Sequence, residues 1–146
     1  MKIRLIQSGE AYKLLEMGEL FFKESKQPGQ WNPQHFVAAW EQGIASGSMF
    51  VIVAEEGDKF IAAIGATLGR CPNTGDLLVG ENFWFSHPSF RGKATELIDA
   101  YEIESKKRGA KRVWMMCLES LRPDVLGRFY ERRGYALAEH CYWKGI

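Results

Sequence analysis

The chain has 146 residues, 46% hydrophobic and 25% charged, with a formal net charge of +1. The length suits one ordinary domain with its own core, and the near-neutral balance argues against a nucleic-acid binder. No apolar run reaches the ~18 residues that span a bilayer, and Met1 to Ile6 is too short in its apolar part for a signal peptide.

Lys2 to Ile6 alternates and reads as a strand. Ser8 is placed to cap a helix whose apolar face is Ala11, Leu14, Leu15, Gly18, Phe21 and Phe22. That helix stops before Gln27-Pro28-Gly29, a turn signal. Asn32-Pro33 is a cap followed by a first-turn proline. The second helix carries Phe36, Ala39, Trp40, Gly43 and Ile44 on one face and ends at Gly47.

Met49 to Glu55 is an apolar, β-branched strand, and Gly57-Asp58 turns it into a hairpin partner, Phe60 to Leu68. After the Cys71–Asp76 loop, Leu77 to Ser86 is a long strand with a bulge expected at Gly80. A third helix runs from about Lys93 to Arg108, with Gly109 as its stop. Arg112 to Cys117 reads as a buried strand, with Cys117 in packing. Pro123 opens a fourth helix with Val125, Leu126, Phe129 and Tyr130 on one face, and Tyr135 to Trp143 reads as a closing strand. Cys71, Cys117 and Cys141 are odd in number and widely spaced. They fit neither a metal pattern nor a disulfide framework, and point to a reducing, cytoplasmic setting.

This order predicts an α/β fold: a single mixed, mostly antiparallel twisted sheet flanked by about four helices. Leu77–Cys117 forms a parallel strand–helix–strand unit within it. In such sheets ligands sit beyond the carboxyl ends of the strands. The stretch from Ser86 to Ile98, an aromatic strand ending in a tight turn that opens a helix, lies there. Gly92 and Ala94 allow close approach of backbone to a ligand. The first N–H groups of the helix, its dipole, Arg91 and Lys93 all suit an anion such as a pyrophosphate.

Ser89-Phe90-Arg91-Gly92-Lys93-Ala94 resembles the Q/R-x-x-G-x-G/A turn with which the GNAT acyltransferases bind the pyrophosphate of coenzyme A. Gly92 and Ala94 match, and Ser89 stands where the family has Gln or Arg. Lys106-Lys107-Arg108-Gly109-Ala110-Lys111 and Leu126-Gly127-Arg128-Phe129-Tyr130-Glu131-Arg132-Arg133-Gly134-Tyr135 resemble two further family segments at the expected distances. The resemblance runs from about Leu77 to the C-terminus, and the Trp84–Arg91 run looks most like small acetyltransferases encoded in phage or prophage. The family's usual Asn near the start of the fourth helix is replaced by Ser120-Leu121-Arg122-Pro123.

The resemblance implies acetyl transfer from acetyl-CoA to an amine, without a metal. The pyrophosphate would sit on the N–H groups from Arg91 to Thr95, with Ser89, Phe90, Gly92, Lys93 and Ala94 in the turn. The pantetheine would lie along the strand edge at Phe85 and Ser86. Tyr130 matches the family's general acid, a phenol protonated at neutral pH. Glu81 lies where some members carry a catalytic base, and His87 and His140 are further bases to weigh. Arg133 could meet the 3′-phosphate of CoA. The acceptor side would be built from the first two helices, Gln27 to Trp31, the Cys71–Asp76 loop and the closing strand. Trp31, Trp40 and Trp143 read as core or rim. The same fold also admits a weakly active module that binds a protein partner, and a homodimer is compatible with an exposed closing strand.

Overall fold

The structure, a computed structural model, describes residues 1–92 and 95–146. Strands β1 (Lys2–Leu5), β2 (Met49–Glu56), β3 (Lys59–Arg70), β4 (Leu77–Ser86) and β5 (Arg112–Trp114) form one sheet in chain order. The first four pair antiparallel, and β5 pairs parallel with β4. Helices α1 (Leu15–Ser25) and α2 (Pro33–Ser46) precede β2. Helix α3 (Thr95–Lys107) connects β4 to β5, and α4 (Pro123–Arg132) follows β5. This is the expected α/β arrangement, with a mixed sheet and a parallel strand–helix–strand unit.

β2 is buried from Phe50 to Ala54, so both faces of the sheet are covered. On one face Val51, Val53, Ala63, Phe83 and Phe85 pack with Leu14, Met17 and Trp40. On the other, Phe50, Ile52, Ile64 and Val79 pack with Leu97 and Tyr101 of α3. Gly65 permits this closeness on the first face, since a Cβ there would lie 2.7 Å from the Trp40 ring.

The caps divide. Asn32 Oδ1 accepts the His35 N–H at 3.0 Å, as its position before Pro33 implies. Ser8 caps no helix. The chain first makes a 3-10 turn, Ala11–Leu14, and the Glu41 carboxylate of α2 accepts from the Gly9 and Ala11 N–H groups at 2.8 Å each. A charged acceptor from a neighbouring helix displaces the local hydroxyl, and these N–H bonds hold the Glu41 carboxyl below its ordinary range.

Three further expectations are corrected. The bulge in β4 falls at Asn82, not Gly80: Gly65 pairs with Phe83 and Ala66 with Glu81, so Asn82 is the extra residue. Gly80 stays in register opposite Thr67 and Trp114, and its small size makes room for the Trp114 indole. Next, β5 stops at Trp114, and Cys117 is exposed, its Sγ 3.3 Å from the Pro123 carbonyl oxygen. Finally, residues 135–146 form no strand, and Leu137, Tyr142 and Trp143 are exposed. The edge on which a closing strand would pair offers only the three residues of β5.

Candidate active site

The site grows from the end of the parallel pair. Strand pairing between β4 and β5 runs from Leu78–Arg112 to Gly80–Trp114 and then ends. Tyr101 marks this point from below: its buried hydroxyl lies 3.0 Å from the Val79 carbonyl oxygen and 2.9 Å from that of Trp114. The next link is made by a side chain, because Glu81 Oε2 accepts the Met116 N–H at 2.8 Å. On the same residue, the Tyr130 hydroxyl donates to the Met116 carbonyl oxygen at 3.2 Å. Glu81 and Tyr130, far apart in sequence, therefore converge on one residue of the segment after β5.

Both groups are desolvated. Glu81 is 4% exposed, and burial pushes its carboxyl up to about 7, with the Met116 N–H pulling weakly the other way. Burial, reinforced by the Glu81 charge, pushes the Tyr130 phenol well above its ordinary value, so it stays protonated and can donate. They line one cavity of about 30 Å³ together with Phe21, Trp84, Met116 and Leu126. That space is enough for a water molecule. Trp84 also lines it, and its buried indole N–H has no acceptor among the described residues.

Beyond Gly80 no strand among the described residues pairs with the edge of β4 that faced β5, while its other edge stays paired with β3 through Ser86 opposite Ala62. Phe85 is buried in the core and Ser86 half-buried at the strand end. The turn that follows is a short 3-10 segment, Pro88–Phe90, and the Phe90 N–H donates to the His87 carbonyl at 2.7 Å. Ser89 Oγ lies 2.7 Å from His87 Nδ1, so both side chains serve the turn. The Arg91 guanidinium sits 3.6 Å from Glu24. Gly92 has φ +107°, a conformation that glycine alone adopts without strain, with nothing within 4 Å of where a Cβ would stand. Helix α3 opens at Thr95, which is exposed. Lys93 and Ala94 lie outside the described residues.

A second cavity, of about 180 Å³, lies between α1, α2 and β4. Asn82 and Phe83 both line it, two consecutive residues on one side of the strand because of the bulge, while Glu81 and Trp84 line the first cavity. Phe21 borders both. Gln27 and Trp31 line the second cavity, whereas the Cys71–Asp76 loop lines neither. Arg133 is engaged with Asp99 and lies 3.6 Å from Glu102, tying α4 to α3. His140 lies in the exposed segment after α4. Among the described residues no group of three or more His, Cys, Asp or Glu side chains is placed to hold a metal.

Glu81 and Tyr130 are each singled out in the sequence, but their meeting at Met116 is visible only in the structure. Met116 and Trp84 were not singled out. Met116 acts through its backbone, which has no side-chain signature, and Trp84 sits in an aromatic run that reads as core.

Among curated proteins no match is found. Solved structures match over nearly the whole chain. One is a predicted acetyltransferase with acetyl-CoA from Clostridium acetobutylicum, with a TM-score of 0.81 at 15% identity, covering 99% of this chain and 95% of that one. Another is a ribosomal-protein-alanine N-acetyltransferase from Brucella melitensis biovar Abortus, with a TM-score of 0.73 at 16% identity and full coverage of both chains. A third is glucosamine-6-phosphate N-acetyltransferase from Arabidopsis thaliana, with a TM-score of 0.72 at 18% identity, covering 99% of this chain and 97% of that one. At these identities the likeness is one of fold. Residues 14–135 match the model of the Acetyltransferase (GNAT) family, and the chain is an acetyltransferase belonging to that family.

Proposed function

We propose that the chain transfers the acetyl group of acetyl-CoA directly to a primary amine, with Glu81 as base and Tyr130 as acid. The observation that carries this reading is the meeting of Glu81 and Tyr130 at Met116, beside the unpaired edge of β4. The amine nitrogen attacks the thioester carbon, a C–N bond forms and the C–S bond breaks. The amine proton passes to Glu81, directly or through a water in the small cavity, which a carboxyl near neutrality can accept. The Tyr130 hydroxyl gives its proton to the departing thiolate.

The pantetheine arm adds to the β4 edge at Phe85 and Ser86. The pyrophosphate takes the N–H groups from Arg91 to Thr95, where the open space around Gly92 supports close approach. Arg91 supplies charge there by leaving its weak, exposed pairing with Glu24. The acetyl-CoA in the Clostridium acetobutylicum relative supports the choice of donor. Free cysteines at positions 71, 117 and 141 support a reducing, cytoplasmic setting. Exposed Tyr142 and Trp143, and an edge strand β5 of only three residues, support a homodimer, which light scattering of the purified chain tests.

Calorimetric titration of acetyl-CoA and of CoA into the wild type and Gly92→Glu tests the donor site. Micromolar binding lost in the variant is expected. A folded wild type that binds neither overturns the reading and leaves an interaction module in its place.

A further inference from the structure

We infer that the acceptor is a primary amine carried on an aromatic ring or an equally compact apolar group, and that the cavity between α1, α2 and β4 holds that group. This rests on the acetyl-transfer reading above. The cavity is about 180 Å³, and six of its nine lining residues are Phe21, Phe22, Trp31, Phe36, Trp40 and Phe83. An apolar cavity of about 150 Å³ holds a benzene molecule, so the space suits one ring.

The rings are arranged to receive another. Trp31 lies 4.9 Å from Phe36 and 5.8 Å from Phe22, both tilted, and Trp40 meets Phe83 edge to face at 5.2 Å. A wall of mixed faces and edges favours offset and T-shaped contacts with an inserted ring. Gln27 and Asn82 are the polar side chains of the lining, and Asn82 Oδ1 already accepts from Thr67 Oγ1 at 2.6 Å. No Asp, Glu, Lys or Arg is among the lining residues. A polyamine or an aminosugar placed here would desolvate charges or hydroxyls without partners.

One side chain borders both cavities. Phe21 borders this cavity and the one that holds Glu81 and Tyr130. Asn82 and Phe83 directly follow Glu81, and the bulge turns them toward the aromatic side. A ring seated among Trp31, Phe36 and Phe83 thus presents an amine on a short alkyl arm to Glu81 around the edge of Phe21.

Two measurements test this. In the first, phenethylamine is titrated into the protein with and without CoA, following tryptophan fluorescence and amide NMR shifts, and Trp31→Ala and Phe36→Leu are compared after circular dichroism confirms their fold. Saturable binding, weakened at least tenfold in either folded variant and not displaced by spermidine, is expected. Binding unchanged in both variants, or no binding to a wild type that binds acetyl-CoA, overturns the assignment. In the second, CoA release from acetyl-CoA is followed with phenethylamine, phenylalanyl-alanine amide, propylamine and spermidine. The ring-bearing amines should exceed the other two at least tenfold in kcat/KM, and Trp31→Ala should raise KM with kcat little changed. Turnover of the dipeptide amide above phenethylamine identifies a peptide N-terminus as the source of the ring. Spermidine or propylamine as the better acceptor overturns the substrate class and leaves acetyl transfer standing. Phenethylamine binding without any binding of acetyl-CoA supports the cavity assignment and overturns acetyl transfer.

Discussion

Glu81 and Tyr130 hold the two ends of one residue: the carboxylate accepts the Met116 N–H at 2.8 Å and the phenol donates to the Met116 carbonyl at 3.2 Å. The proposed base and the proposed acid thereby meet on a single piece of backbone, where strand pairing between β4 and β5 has just ended. Each answers to a different perturbation.

Glu81 sets the pH dependence. Its carboxyl is raised to about 7 by burial, so kcat/KM should rise with pH through an inflection near 7 as the base loses its proton. Glu81→Gln should lower kcat/KM by about 10²- to 10⁴-fold and remove that inflection. Stability should respond with the opposite sense. The folded chain holds this proton more tightly than the unfolded one, so Glu81 destabilises the fold increasingly from about pH 4.5 to about pH 7. Glu81→Gln should therefore exceed the wild type in stability at pH 8, by up to about 3 kcal/mol, and match it near pH 4.5. Urea unfolding at the two pH values measures this.

Tyr130 separates chemistry from binding. Tyr130→Phe removes the proton donor and leaves the Met116 carbonyl without this partner. We expect kcat to fall about 10²-fold or more, the Kd for acetyl-CoA to stay within about twofold, and stability to drop by about 1 kcal/mol. Steady-state kinetics with calorimetry distinguish this from a general loss of folding.

Gly92 tests the turn. At φ +107° any side chain is strained, and Gly92→Glu adds negative charge where the diphosphate is proposed to sit. Binding of acetyl-CoA should weaken at least about tenfold, corresponding to 1.4 kcal/mol or more. Gly92→Ala, which carries the strain without the charge, should weaken it less.

Glu41 tests how the start of the chain is pinned. Glu41→Ala frees the Gly9 and Ala11 N–H groups and should cost about 0.5–2 kcal/mol. Because those bonds hold the Glu41 carboxyl below its ordinary value, the wild-type advantage should be full above about pH 4.5 and fade as the solution is acidified further. Denaturation of both proteins at pH 7 and pH 3 checks the sign.

Periodicity and turn residues are local properties, so the helix faces, the Asn32 cap, the β2–β3 hairpin and the strand-to-helix turn before α3 are legible in the sequence alone. The family resemblance also nominated Tyr130 by its motif and Glu81 by its place on the fourth strand, as expectations that Glu81→Gln and Tyr130→Phe test. What needed the third dimension was every contact between distant segments. Glu41 rather than Ser8 caps the first turn because a helix some thirty residues later packs there. The bulge sits at Asn82 in the register set against β3, and past the end of β5 Glu81 takes the Met116 N–H. Tyr135 to Trp143 has the composition of a strand and forms none, since a strand exists only where a partner edge is offered and β5 offers three residues. The aromatic residues of α1, α2 and β4 read singly as core; only the tertiary structure brings them around one cavity, with Phe21 bordering both it and the cavity lined by Glu81.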